Sequence, residues 1–361
     1  MDSIVRNAIT HDAKVEPTNV KLHDGPKIMV VGVGGAGNNT VNRMARVGIS
    51  GAELVAVNTD KQHLTLVHDS IKKMILGQSV TRGLGAGGYP EVGAKAAEVS
   101  RAALSQILEG TDMLFLTAGM GGGTGTGAAP VIADIAKEQG SIVIAMVTYP
   151  FRMERARLLK ADAGIEKLRK VADTVVIIDN NRLVELVPNL PIEQAFSVAD
   201  EVISRAVKGI TETITTPSLI NLDYADVRAI MTAGGVSVIS VGESRGHGRV
   251  EEVVEDTLKN SLLDVDYTGA KGALIHITGG PDLTLGDANE IGERLTEVID
   301  PQATVIWGAR IIPEYEGKVE VIVIMTGVKS SHIKGPMADA LSSGAKAEAE
   351  LDKALGIMYL R

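Results

Sequence analysis

Gly119-Met120-Gly121-Gly122-Gly123-Thr124-Gly125-Thr126-Gly127 places six glycines in nine residues, between apolar Leu114-Phe115-Leu116 and apolar Ala128-Ala129-Pro130-Val131-Ile132. The residues before it read as a buried strand and those after it as the start of a helix. Successive glycines let the backbone pass through positive φ and aim its N–H groups into one concavity, which attracts anions with help from the helix dipole behind. One glycine, or a pair, is as readily a tight turn. Six exceed what a turn needs, because each costs roughly 0.5–1 kcal/mol relative to alanine in regular backbone. The chemistry indicated is the binding of a phosphate-bearing ligand, with the Thr124 and Thr126 hydroxyls as further donors.

A second glycine loop lies upstream. Lys27-Ile28-Met29-Val30-Val31 reads as a strand that runs into Gly32-Val33-Gly34-Gly35-Ala36-Gly37-Asn38-Asn39, and helix-like Val41, Met44 and Ala45 follow. Gly32, Gly34 and Gly37 satisfy G-x-G-x-x-G, and with Asp60 as a ribose contact they fit a nicotinamide-dependent oxidoreductase. A dinucleotide needs one such loop, whereas two suit a triphosphate. Neither loop carries the lysine and hydroxyl of a P-loop, so phosphate charge must be met by N–H groups, helix dipoles and a metal ion. A third segment, Thr81-Arg82-Gly83-Leu84-Gly85-Ala86-Gly87-Gly88, reads either as another phosphate-side loop or as a flexible connection.

In this order the loops resemble those of the tubulin/FtsZ superfamily, whose glycine- and threonine-rich signature is matched by residues 121–127. The resemblance extends over about residues 25–328 and takes in Gly34, Gly35, Ala36, Gly37 and Asn39 of the second loop. It also takes in Asn58 and Asp60, then Gly85, Ala86 and Gly87, then Gly121, Gly122, Gly123, Thr124, Gly125 and Thr126, and then Pro150-Phe151 with Glu154. It implies a GTPase that binds GTP or GDP with Mg²⁺, assembles head to tail with copies of itself, and hydrolyses GTP at the joint, as in the cell-division ring. Asn180 and Asp200 would then read guanine. A carboxylate accepts from the ring N–H and the amino group of guanine together, and adenine offers no such ring N–H. Phe196, one helical turn before Asp200, lies either against the base or in the core. Either Arg155 or Arg157 would approach the nucleotide after Glu154.

Asn221-Leu222-Asp223-Tyr224-Ala225-Asp226 precedes the helical run Val227-Arg228-Ala229-Ile230-Met231. By position alone, Asp223 is an N-cap and Asp226 adds negative charge to the first turn. The resemblance adds a second role, with Asn221, Asp223 and Asp226 entering the next subunit's pocket and positioning the attacking water. Phosphoryl transfer is mostly positioning and charge stabilisation, with Mg²⁺ on the phosphate oxygens as the main cation. A slowly hydrolysing nucleotide-dependent scaffold and a cytoskeletal relative outside division are the competing readings.

Short apolar runs at 28–31, 54–57, 114–116, 142–147 and 175–178 alternate with helical stretches, as in a parallel sheet covered on both faces. Each glycine loop falls at a strand's carboxyl end, where ligands bind in such folds. The expected organisation is a flexible segment 1–25, a Rossmann-like α/β GTP-binding domain 26–190, a central helix 191–215, an α+β domain 216–328 and a tail 329–361. The helix has apolar residues on more than one face, as a buried one does. In the α+β domain, strands are expected at 236–241, 273–277, 304–306 and 319–325, and helices at 250–262 and 285–299. In the tail, Leu351, Leu355, Met358 and Tyr359 mark one face of a short helix that docks a membrane tether or division partner, or packs on its own domain.

A net charge of −9 and the lack of a basic stripe argue against nucleic acid or an anionic membrane as a direct partner. Zero cysteines exclude disulfides and thiolate metal sites, and seven scattered histidines show no metal-ligand spacing. No apolar run approaches the roughly 20 residues that span a bilayer, and the first 25 are polar, so the expected compartment is the cytoplasm. The low aromatic content, 3%, and the short tail resemble archaeal members of the superfamily.

Overall fold

The computed structural model describes residues 25–215, 223–232, 236–246, 248–259 and 265–330. Its first strand, β1 (Ile28–Val33), is buried along its whole length. Met29, Val31 and Val33 enter one hydrophobic core while Ile28 and Val30 enter another on the opposite face. That is why the sequence is continuously apolar there and does not alternate. After β1 come helix α1 (Gly34–Val47), β2 (Ala52–Asn58), the short helix α2 (Lys61–Thr65) and β3 (Lys72–Ile75). Then come α3 (Pro90–Val99), β4 (Met113–Gly119), α4 (Thr124–Glu138), β5 (Ile142–Tyr149), α5 (Ala156–Val171) and β6 (Thr174–Asp179).

The long helix α6 (Ile192–Thr215) and α7 (Tyr224–Thr232) lead into the second half. It contains β7 (Val236–Arg245), α8 (Arg249–Lys259), β8 (Val265–Asp266), β9 (Gly272–Gly279), α9 (Leu285–Thr296), β10 (Thr304–Ile311), β11 (Lys318–Thr326) and β12 (Lys329–Ser330). Every strand expected from the apolar runs is present. Helix α8 covers the expected 250–262 as far as Lys259, the residues beyond lying outside the described ones, and α9 stops three residues short of 299. The edge strand β3 was not expected, because its Lys-Lys pair masks a strand protected from edge pairing by charge.

One sheet of ten strands runs through both halves in the order β10-β9-β11-β7-β6-β5-β4-β1-β2-β3. From β3 to β6 all pairs are parallel. β11 pairs antiparallel with both β7 and β9. The halves meet where β6 and β7 pair in parallel through only Val175–Val236 and Val176–Ser237. Helix α6 spans this seam. Its Ala199, Ile203, Ala206, Val207 and Ile210 join β1-side and second-half residues, including Leu274 and Ile322, in one core.

Polar groups also tie α6 to the second half. The buried His276 of β9 shares hydrogen bonds with the hydroxyls of Thr213 (2.8 Å) and Thr278 (3.0 Å). Burial, with the Arg310 charge nearby, pushes its pKa down to about 4. Arg205 of α6 donates to Glu201, Glu243 and Glu320, reaching both β7 and β11.

Candidate functional site

The strand order reverses between β1 and β4, and a cavity of about 820 Å³ opens at the carboxyl ends of these strands and β5. A crevice at the switch point of a parallel sheet is the standard ligand position. Gly35, Ala36 and Asn39 from α1, Gly122, Gly123, Thr124 and Gly125 from the glycine loop, and Glu154, Arg157, Asn180, Phe196 and Asp200 line it. Arg155 is not among the lining residues, so of the two candidate arginines it is Arg157 that reaches the cavity.

At one end the cavity is made of backbone. Gly34 has φ +74°, and a Cβ there would stand 3.0 Å from the Gly125 nitrogen, so the two glycine loops approach as closely as glycine allows. A Cβ at Gly122 would meet no protein atom within 4 Å. It would point into open cavity. The Thr59 and Thr124 hydroxyls share a hydrogen bond of 2.6 Å across this end. Beneath the loop, the Gly121 N–H donates to Thr126 Oγ1 at 2.9 Å, and Thr126 is buried. Thr126 therefore braces the loop from below.

The other end carries side chains. Asp200 accepts from Thr40 Oγ1 at 2.5 Å. Burial raises the pKa of its carboxyl, against the Thr40 hydrogen bond and the Arg43 charge. Asn180 is buried, and its Oδ1 has no hydrogen-bond partner. An unsatisfied acceptor in a cavity wall suits a ligand donor. Phe196 is 41% exposed and meets Phe151 edge-on with ring centres 5.7 Å apart, so it belongs to the rim and not to the core. Between the ends, Glu154 accepts from the Phe151 N–H (3.0 Å) and from Arg157 (2.5 Å).

Several candidate residues serve the walls. A Cβ at Gly37 would lie 2.2 Å from the Thr117 carbonyl oxygen, so this glycine lets α1 pack on β4. Asn58 is buried and accepts from the Asp60 N–H at 3.2 Å. Asp60 caps α2 through one oxygen, Oδ1, which accepts from the N–H groups of Gln62 (2.9 Å) and His63 (3.3 Å), and it is not among the cavity-lining residues. Gly85 donates from its N–H to the Thr59 carbonyl at 3.1 Å. Ala86 lies under Gly123, and Lys160 Nζ donates to the Gly88 carbonyl at 2.7 Å near Gly87. The third loop is thus a bonded wall behind the glycine loop, and its Gly85, Ala86 and Gly87 are not among the cavity-lining residues.

Thr40, Arg43, Arg46 and His63 also line the cavity, and the sequence reading missed them. The signal was present for Thr40 and Arg43, which follow Ala36 and Asn39 by four residues on one helix face. Among the described residues, no group of three or more His, Asp or Glu stands close enough to hold a cation alone.

Asp223 and Asp226 stand elsewhere. Asp223 Oδ1 accepts from the Asp226 N–H at 2.7 Å and so caps α7. The neighbouring Tyr224 hydroxyl donates to the Asp112 carbonyl at 2.9 Å, and Thr174 donates to the Met231 carbonyl at 3.1 Å. Asp112 precedes β4 and Thr174 begins β6, so α7 lies along the amino ends of the strands. The cavity lies at their carboxyl ends. The seven residues of β4 separate the two by roughly 20 Å at about 3.3 Å per residue. Asn221 lies outside the described residues.

Residues 27–188 match the GTPase domain of the Tubulin/FtsZ family, and residues 235–329 match the C-terminal domain of the FtsZ family. The cell division protein FtsZ 2 of Methanocaldococcus jannaschii is 63% identical over 86% of this chain and 82% of its own length. The chain belongs to the tubulin/FtsZ family. The FtsZ 2 of Haloferax volcanii is 54% identical over 93% of this chain and 85% of its own length. A solved structure of an empty FtsZ dimer from M. jannaschii superposes with a TM-score of 0.80 at 44% identity, covering 92% of this chain and 97% of that one. The FtsZ-type α/β fold and GTPase domain account for the two glycine loops together, and the oxidoreductase reading is not favoured.

Proposed function

We propose that this protein is a cell-division GTPase that assembles head to tail and hydrolyses GTP at the joint between two copies. The observation that carries the reading is the placement of Asp223 and Asp226 at the pole opposite the cavity, some 20 Å from the phosphate end by the rise of β4. Polar stacking of one copy on the next brings that pole to the neighbour's cavity.

In this reading Asp200 and the unsatisfied Asn180 oxygen take the guanine edge, and Phe196 lies beside the base. N–H groups of Gly122, Gly123, Thr124 and Gly125, at the start of α4, hold the phosphates without a lysine. Mg²⁺ on the phosphate oxygens, held through the nucleotide since no described cluster holds it alone, would neutralise charge there. Asp223 and Asp226 of the adjoining copy accept hydrogen bonds from the water and orient it towards the γ-phosphorus. That positioning is the main catalytic contribution of protein in such transfers.

The described residues contain no helix long and apolar enough to cross a membrane. We place the protein in the cytoplasm at the division site, tethered by a partner through residues 329–361, most of which lie outside the described residues. Mixing tests the shared site. An Asp223→Ala chain that binds GTP, added to a Thr124-substituted chain that does not, should recover turnover. Turnover independent of protein concentration, without recovery on mixing, would place the whole site in one chain.

A further inference from the structure

Fifteen glycines and two other residues have positive φ among the described residues. The two others are Arg82 (φ 55°) and Arg155 (φ 32°). Elsewhere this backbone region is given to glycine, which enters it freely. Arginine enters it at a conformational cost. Both side chains are exposed, and neither guanidinium has a hydrogen bond or ion pair among the described residues.

Their loops border the glycine loop on two sides. A Cβ at Gly123 would stand 2.8 Å from Ala86, and a Cβ at Gly121 would stand 3.0 Å from Arg157 and 3.3 Å from Pro150. Of the nearby cations, Arg157 pairs with Glu154, and Lys160 donates to Gly88 and lies over the Tyr89 ring. The exposed Arg46 and Arg152 side chains, like those of Arg82 and Arg155, form no ion pair with a described residue, but Arg46 and Arg152 have ordinary backbone conformations. Arg82 and Arg155 therefore hold uncommitted positive charge on the two loops that flank the glycine loop, outside the cavity lining, in a chain whose net charge is −9. Asp223 and Asp226, at the other pole, form no ion pair with a described residue.

We propose that Arg82 and Arg155 are positioning residues that receive the acidic pole of a second copy of this chain and hold its Asp223 and Asp226 over the phosphate loop. This rests on the head-to-tail reading above. Complementary charge of this kind sets orientation and association rate and weakens with salt. Lysine at either position would keep the charge without the fork that grips a carboxylate through two parallel bonds.

Arg82→Gly and Arg155→Gly are the discriminating variants, because glycine suits both backbones and removes only the side chain. With the full chain, fluorescent GTP binding and the melting temperature should match or exceed those of the parent. The threshold concentration for sedimentable polymer should rise about 1.5- to 5-fold per variant, the range for exposed ion pairs, and should respond less to added salt. Turnover at saturating protein should largely recover. A parent-like threshold and salt response would overturn the inference. So would loss of GTP binding, which would make these arginines nucleotide ligands, or a lower melting temperature, which would make them structural. If parent turnover does not depend on its own concentration, the head-to-tail reading itself fails, and that outcome is separable because it is read without any variant.

Discussion

The two ends of the parallel strands solve opposite problems. At the carboxyl ends the chain leaves room and bonding capacity unused: Gly122 faces empty space, and the enclosed Asn180 oxygen has no hydrogen-bond partner. At the amino ends the backbone is closed off from within, by Tyr224 on Asp112, Thr174 on Met231 and Asp223 on the α7 N–H groups. The open end is built to bind. The closed end ties α7 to the strands, with Asp223 and Asp226 at the start of that helix.

The largest expected effect comes from separating helix cap from carboxylate. Asp223→Asn retains a good N-cap and should melt like the parent, whereas Asp223→Ala should lose about 1 kcal/mol of stability. Both should lower kcat by roughly 10²-fold or more, as for loss of a water-positioning group, with GTP affinity unchanged. A fall in kcat only for the alanine variant would make the residue a cap and nothing more.

Gly122→Val probes the open end. A Cβ there meets no protein atom within 4 Å, so the fold should hold. GTP affinity should fall about 5- to 150-fold, for an overpacking cost near 1–3 kcal/mol. Affinity unchanged in a fluorescent-nucleotide titration would remove the phosphates from this loop.

Asp200→Ala should weaken GTP by about 1–3 kcal/mol and erode discrimination against ATP by a similar factor. Surviving GTP preference in competition binding would move base recognition away from α6.

The smallest effect on activity is expected at His276, which belongs to neither end. Its pKa is depressed to about 4 in the fold from 6.5, so the unfolded chain binds the extra proton between these values. The stability it contributes is present above pH 6.5 and is lost as pH falls towards 4. Urea unfolding of the parent should lose stability across that window, and His276→Gln should flatten the profile with little change in turnover at pH 7.

The strands were legible because burial on both faces leaves unbroken apolar runs such as Ile28-Met29-Val30-Val31. The glycine loops were legible because runs of glycine between a strand and a helix are explicit in the sequence, and such runs offer N–H groups rather than side chains. Their internal division of labour was not. Nothing in the spelling of Gly37 or Thr126 distinguishes a residue that packs against Thr117 or braces Gly121 from one that faces the cavity. The choice between Arg155 and Arg157 likewise depended on a backbone turn at φ 32° that spacing does not reveal. Continuity of the sheet across both halves also escaped, because it rests on two residue pairs, Val175–Val236 and Val176–Ser237, far apart along the chain.

That short seam has a mechanical meaning. Two plates share a join of two residue pairs, while α6 lies across it like a spar, packed into the core it shares with both sides and pinned to β9 through Thr213 and His276. Resistance to bending between the plates therefore comes from side-chain packing along the spar and only weakly from the ladder of backbone bonds. Tension directed along the parallel strands passes through the first plate from pole to pole and need not cross the join, so the spar carries the coupling of the second plate to the first.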